Sequence, residues 1–254
     1  MWIPSTPFSY SMNPEPLRSP SPAAASCSAG RNRMGVGIGP AVDRQERLIE
    51  KIGFLGGTFD PVHNGHLVKA GEALERLELD RVLFMVAGDP WMKREAGQAV
   101  SPAHHRLEMV RLAVAGDPAF VADDREVRRP GPTYTVDTLD ELAAGHHGDD
   151  LYLLLGSDIL ASLRDWHMPW RVLELARVVV LDRPGTALGV GALDRIAPGA
   201  SARTHVLPDA PMDVSSSDLR LKVVSGEPIR KWVPEAVATY IAAHGLYRND
   251  KKGD

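Results

Sequence analysis

The chain has 254 residues, 44% hydrophobic and 24% charged, the composition of an ordinary globular protein with room for one substantial core. A single cysteine, Cys27, excludes a disulfide-stapled scaffold, and there is no apolar run of about 18 residues to cross a membrane. With 29 basic against 33 acidic residues the net charge is −4, which argues against a broad nucleic-acid surface but is compatible with a local cationic pocket.

Residues 1–50 hold seven of the 20 prolines, with serines between them and no helical or strand period. They read as a disordered extension, because few large apolar side chains are present to offset the ordering entropy. A secretory signal fits poorly, since no apolar core follows a basic start. A transit peptide fits the composition of residues 1–42, where Arg18, Arg31 and Arg33 stand against Glu15 alone. A dispensable extension, or a reading frame starting at Met34, is the simpler reading.

From Lys51 the pattern alternates. Lys51–Leu55 reads as a short buried strand ended by Gly56-Gly57. Leu67, Ala70, Leu74 and Leu77 then recur at helical spacing over 65–79. A strand over 81–87 and a polar loop over 88–100 follow. Ser101-Pro102 predicts a helix start, with serine as the cap, running to about Gly116. A strand at 120–122 precedes a helix carrying Val136, Leu139 and Ala143 and stopped by Gly145. Leu151–Leu155 and Arg177–Leu181 are apolar throughout, as strands buried on both faces should be, and 203–207 is a weaker strand. Val237, Tyr240, Ile241 and His244 mark a last helix between Pro234 and Gly245. Strands separated by helices predict one α/β domain over 51–248, Rossmann-like and doubly wound, its sheet mainly parallel with helices on both faces. Residues 249–254 form a polar tail, and 186–201 suggest turns and a short helix without an assignable role.

The densest chemistry lies in Gly56-Gly57-Thr58-Phe59-Asp60-Pro61-Val62-His63-Asn64-Gly65-His66, between the first strand and the first helix. Glycines there let backbone amides approach a phosphate, and the helix N-terminus adds unpaired N–H donors. His63 and His66, three apart, can face one crevice. The pattern is neither Walker A nor a zinc helix. Turn glycines and capping histidines are the bland alternative, which the strand–glycine–helix context disfavours. A second stretch, Ser215-Ser216-Ser217-Asp218-Leu219-Arg220, supplies a helix cap and an arginine able to fork onto phosphate oxygens. By itself it is a helix cap; beside the histidine turn it makes a second phosphate clamp.

These two stretches resemble the nucleotidyltransferase superfamily marked by a His/Thr-x-Gly-His turn and a Ser-Ser/Thr-x-x-Arg segment. Pro132–Leu139, Gly156-Ser157-Asp158, Trp166, Arg183-Pro184-Gly185 and the terminal Tyr240-Ile241 and Gly245-Leu246-Tyr247 are similar to its bacterial nicotinate-nucleotide adenylyltransferase branch. The resemblance spans about 51–248 in matching order. It implies a cytoplasmic enzyme of NAD biosynthesis that uses ATP and nicotinate mononucleotide, with Mg²⁺ carried on the ATP phosphates and no protein metal ligands. A homo-oligomer is compatible with it.

By the same resemblance, His63, His66 and Arg220 are catalytic, and Gly56, Gly57, Thr58, Phe59, Gly65, Asp158, Ser216 and Ser217 join them around ATP. Lys93, Thr135, Trp166 and His167 fall to the mononucleotide: Trp166 against the pyridine, Thr135 and backbone amides near Tyr134 and His167 on its carboxylate. Trp166 as a core or rim residue, and Asp158 as a helix cap, are the alternatives. Where many relatives carry Pro-Pro-His-Lys/Arg, this chain has Pro90-Trp91-Met92-Lys93-Arg94, which keeps the charge and loses the histidine. Lys93 is carried over with Arg94 as competitor, in a loop expected to be mobile when empty. His167 stands where many relatives have an aromatic. Phosphopantetheine adenylyl transfer, a preference for nicotinamide mononucleotide, and a non-catalytic nucleotide sensor are the competing functions.

Overall fold

The structure, a computed structural model, describes residues 49–145, 148–160, 162–182, 189–208 and 214–248. Residues 1–48 of the extension, Arg183-Pro184-Gly185, residues 249–254 and the side chain of Asp158 lie outside what is described.

The chain runs β1 (Lys51–Gly57), α1 (Asn64–Arg76), β2 (Arg81–Val86), α2 (Trp91–Glu95), α3 (Ala103–Val114), β3 (Phe120–Asp123), α4 (Arg125–Arg128), α5 (Thr135–Gly145) and β4 (Asp150–Gly156). It continues through α6 (Ser157–Leu160), α7 (Pro169–Leu175), β5 (Arg177–Asp182), β6 (His205–Pro208), α8 (Ser216–Val224) and α9 (Glu235–Ala243). Short 3-10 turns lie at Leu163–Asp165, Val190–Arg195 and Ser201–Arg203.

Six strands form one sheet in the order β3-β2-β1-β4-β5-β6, and every pairing is parallel. Parallel strands need covered faces, and strand alternation supplies apolar side chains to both. Leu55, Val82, Phe84, Val86, Tyr152, Leu154, Val179 and Leu181 face one layer, where Ala70 and Ala73 of α1, Met109 and Val110 of α3, Leu219 of α8 and Val237 and Ile241 of α9 close the core. Ile52, Phe54, Leu83, Met85, Leu153, Leu155, Val178 and Val180 face the other, against Val136, Leu139 and Leu142 of α5 and Val172 and Leu173 of α7. Each such side chain contributes about 1.5–3 kcal/mol on burial, so two apolar layers outweigh weak local signals such as those at β6. The doubly wound α/β architecture expected from the alternation is the one observed.

Two local expectations need correction. The 88–100 segment is not all loop, because Trp91–Glu95 forms α2. Ser101 does not cap α3; the residue before the helix is Pro102, without a side-chain cap. Ser101 is committed elsewhere: its N–H donates to Asp60 Oδ2 at 3.0 Å and its carbonyl accepts from Arg106 Nε at 2.8 Å.

Strand order reverses at β1, which pairs with β2 on one side and β4 on the other. In open α/β sheets the crevice beyond such a switch point is where ligands bind, because the loops diverge to opposite faces.

Candidate active site

At the carboxyl end of β1, Gly56 and Gly57 lead into Thr58 and Phe59. Phe59 takes a left-handed backbone, φ 51°, costing about 1–2 kcal/mol for a residue with a side chain. Its buried ring offsets this, packing edge-on against His66 with centroids 5.0 Å apart. The chain then enters α1 with His63 as its N-cap in an extended conformation. His66 Nδ1 accepts the His63 backbone N–H at 3.2 Å, and the two rings stack with centroids 3.7 Å apart. Gly65 leaves room for this stack: a Cβ would stand 3.0 Å from His63 Nδ1 and 3.3 Å from Val214 Cγ1, so either side chain would have to shift. Burial first, then the influence of His63 and the charges of Lys69 and Lys93, hold the His66 pKa well below the ordinary imidazole value.

The second clamp is brought in from the far end of the chain. Ser215 caps α8, its Oγ accepting the Asp218 N–H at 3.1 Å. Ser216 Oγ donates to the Pro61 carbonyl at 2.9 Å. Arg220 Nη1 donates to the Asp60 carbonyl at 2.7 Å and Nη2 to Ser217 Oγ at 3.2 Å. The loop between β1 and α1 is thereby stitched to the start of α8. Asp60 is itself buried, with Tyr247 donating its hydroxyl to Oδ1 at 2.6 Å. Burial and the Asp60 charge raise the Tyr247 pKa, so this phenol stays a donor at any physiological pH.

A cavity of about 380 Å³ opens at the switch point. Its lining includes Gly56, Gly57, Thr58, His66, Lys69 and Lys93. It also includes an aromatic group, Trp91, Tyr134, Trp166 and His167, together with Thr133 and Thr135. The Tyr134 and His167 rings lie 4.6 Å apart, and Trp91 and Tyr134 5.9 Å. Two bonds hold this wall to the α2 segment: the Asp89 N–H donates to Thr133 Oγ1 at 3.0 Å, and the Thr133 N–H to the Asp89 carbonyl at 3.0 Å. Lys93 is half-buried, and burial followed by the Arg220 charge lowers its pKa. Arg94 is paired with Asp89 instead, so of the two loop cations Lys93 faces the cavity.

Of the residues singled out from sequence, Gly56, Gly57, Thr58, His66, Lys93, Thr135, Trp166 and His167 line this cavity. Phe59 and Gly65 pack behind it. His63 joins through its stack on His66, and Ser216, Ser217 and Arg220 through their bonds around Asp60–Pro61. Asp158 lies on α6, directly after β4. Sequence reasoning missed Lys69, Trp91, Glu126 and the Asp60–Tyr247 pair. Lys69 was legible as one helical turn after His66; Trp91 stood beside Lys93 in a stretch read for charge alone. Glu126 had no local signal, and Tyr247 stood in the terminal Gly245-Leu246-Tyr247 stretch without a role.

The sequence model of the cytidylyltransferase-like family matches residues 54–222. A Roseiflexus protein (strain RS-1) named "Probable nicotinate-nucleotide adenylyltransferase" is 47% identical over 197 residues, which cover 78% of this chain and 98% of that one. A Thermomicrobium roseum protein of the same name is 42% identical over 200 residues, 79% of this chain and 92% of that one. Among solved structures, Plasmodium falciparum nicotinic acid mononucleotide adenylyltransferase complexed with NaAD superposes with a TM-score of 0.63 at 17% identity, over 78% of this chain and 97% of that one. At that identity the likeness speaks for the fold. Relatedness over nearly the full length of the bacterial relatives means that this chain belongs to the nicotinate-nucleotide adenylyltransferase family of the cytidylyltransferase-like group.

Proposed function

We propose that the protein transfers the adenylyl group of ATP to nicotinate mononucleotide. A phosphate oxygen of the mononucleotide attacks the α-phosphorus of ATP, and the bond from that phosphorus to the bridging oxygen breaks. Pyrophosphate leaves, and nicotinate adenine dinucleotide is formed. The observation that carries this reading is one cavity whose lining combines His66, Lys69 and Lys93, beside the start of α1, with the rings of Trp91, Tyr134, Trp166 and His167. An aromatic face suits a flat pyridine, and cationic side chains suit phosphates. His63, His66, Lys93 and Arg220 are assigned to the phosphates. Gly56, Gly57 and Thr58 offer the close backbone approach, Ser216 and Ser217 shape the second clamp, and Asp158 is assigned to a ribose hydroxyl. Trp166, Thr135 and His167 are assigned to the pyridine and its carboxylate.

No nucleophilic side chain is required, so rate depends on aligning two bound phosphates and neutralising their charge. Among the described residues no group of three or more His, Cys, Asp or Glu is placed to hold a metal ion. The donors present are mainly cationic and suit phosphate oxygens; Mg²⁺ is therefore proposed to arrive on the triphosphate, where it shields negative charge. No helix among the described residues is long and apolar enough to cross a membrane. The cytoplasm, with its ATP pool, is the proposed compartment.

The test is kcat/KM of the purified protein with ATP and each of nicotinate mononucleotide, nicotinamide mononucleotide and phosphopantetheine. Nicotinate mononucleotide should be preferred; turnover of phosphopantetheine alone would overturn the reading.

A further inference from the structure

Arg106 in the second turn of α3 is 1% exposed. Its guanidinium donates to backbone carbonyls from three separate segments: Nη1 to Thr58 at 2.9 Å and Ala87 at 2.7 Å, Nη2 to Gly88 at 3.1 Å, and Nε to Ser101 at 2.8 Å. Removing a charge from water costs several kcal/mol, and well-packed apolar residues often serve stability as well as a buried ion does. What an apolar side chain cannot do is hold four carbonyls in one plane at set spacings, which the rigid fork of arginine does.

The segments it holds lead to the two phosphate clamps and to the wall bearing Tyr134 and Thr135. Thr58 ends the glycine turn of the first clamp. Ala87 and Gly88 open the stretch that carries Lys93 and, through the paired Asp89–Thr133 bonds, the wall bearing Tyr134 and Thr135. Ser101 holds Oδ2 of Asp60, whose carbonyl receives Arg220. Gly88 shows how close the join is, because a Cβ there would lie 2.1 Å from the Glu126 carbonyl oxygen.

We infer that Arg106 is a positioning residue for the proposed transfer: it fixes the phosphate clamps relative to the pyridine wall, and so sets the alignment of the two substrates without touching either. This rests on the function proposed above. Each substrate should bind by itself nearly as before when the fork is lost, whereas their mutual alignment should fail. A displacement of about 1 Å between reacting groups can cost on the order of 100-fold in rate.

The experiment compares Arg106→Lys, which keeps charge without the planar fork, and Arg106→Met, which keeps apolar bulk. Calorimetric Kd values for a non-hydrolysable ATP analogue and for nicotinate mononucleotide are measured separately, beside kcat and Tm. The expected result is a kcat lower by about 10- to 100-fold in both variants, at a temperature where both are folded, with each Kd within about threefold of the parent. Wild-type kcat in either variant, Kd losses that account for the whole fall in kcat/KM, or failure of both variants to fold would overturn the inference. If the parent protein used a different acceptor, the functional reading would fall instead, and the same comparison run with that acceptor would still decide the role of Arg106.

Discussion

His66 faces opposing demands. In the free protein, burial first, then the influence of His63 and the charges of Lys69 and Lys93, keep it neutral at pH 7, and the His63 N–H bond to Nδ1 assigns the remaining proton to Nε2. A bound triphosphate reverses the local charge and favours imidazolium. NMR titration should therefore show the His66 pKa rising when a non-hydrolysable ATP analogue is added, and no upward shift would remove its phosphate role. His66→Ala should lower kcat by about 100- to 1,000-fold, the scale of a lost transition-state donor, while Tm changes by only a few degrees. Glu126 makes a different prediction. Burial raises its pKa to about 7 against the opposing Thr138 hydrogen bond of 2.6 Å and the Arg129 charge. The folded protein thus holds this proton to about pH 7 while the unfolded chain releases it near the ordinary carboxyl value, so stability from this group falls as pH rises between the two. Glu126→Gln keeps the acceptor without the charge. Thermal denaturation should give it a higher Tm than the parent at pH 8, with the gap closing by pH 5.

Among the elements, those defined by neighbours in sequence were readable and those defined by distant partners were not. β1 and α1 were legible because a run of apolar residues, a glycine pair and a helical period lie side by side. α2 has five residues, too few for a period, and its Trp91 ring lies 5.9 Å from that of Tyr134 in the wall. Ser101 has the chemistry of a cap, yet its side chain hydrogen-bonds with Tyr247 and the helix starts only after Pro102. Ser215 is the opposite case: a cap legible locally and made locally, with Asp218 three residues on. Ser215→Ala should cost about 1 kcal/mol in urea unfolding, the usual value of a helix N-cap. A cost near zero would mean that the bonds of Ser216 and Arg220 to the Asp60–Pro61 carbonyls hold α8 in place without the cap.

Over the whole molecule, the Roseiflexus relative is matched over 98% of its own length by only 78% of this chain. Removal of residues 1–46 should therefore leave kcat/KM for ATP and nicotinate mononucleotide within about twofold of the full chain, measured on both proteins side by side. A larger fall would assign the extension a part in the site. Taken alone, the sequence determined the alternation of strands and helices, the parallel sheet and the two phosphate-type stretches, because periodicity, turn glycines and caps are written in adjacent residues. Only the tertiary structure decided that Arg220 meets the carbonyl of a residue 160 positions away, that Lys93 rather than Arg94 faces the cavity, and that Arg106 gathers carbonyls from three separate segments. The physical reason is that buried charges and backbone groups must find partners wherever the fold brings them, and those partners have no fixed place in sequence.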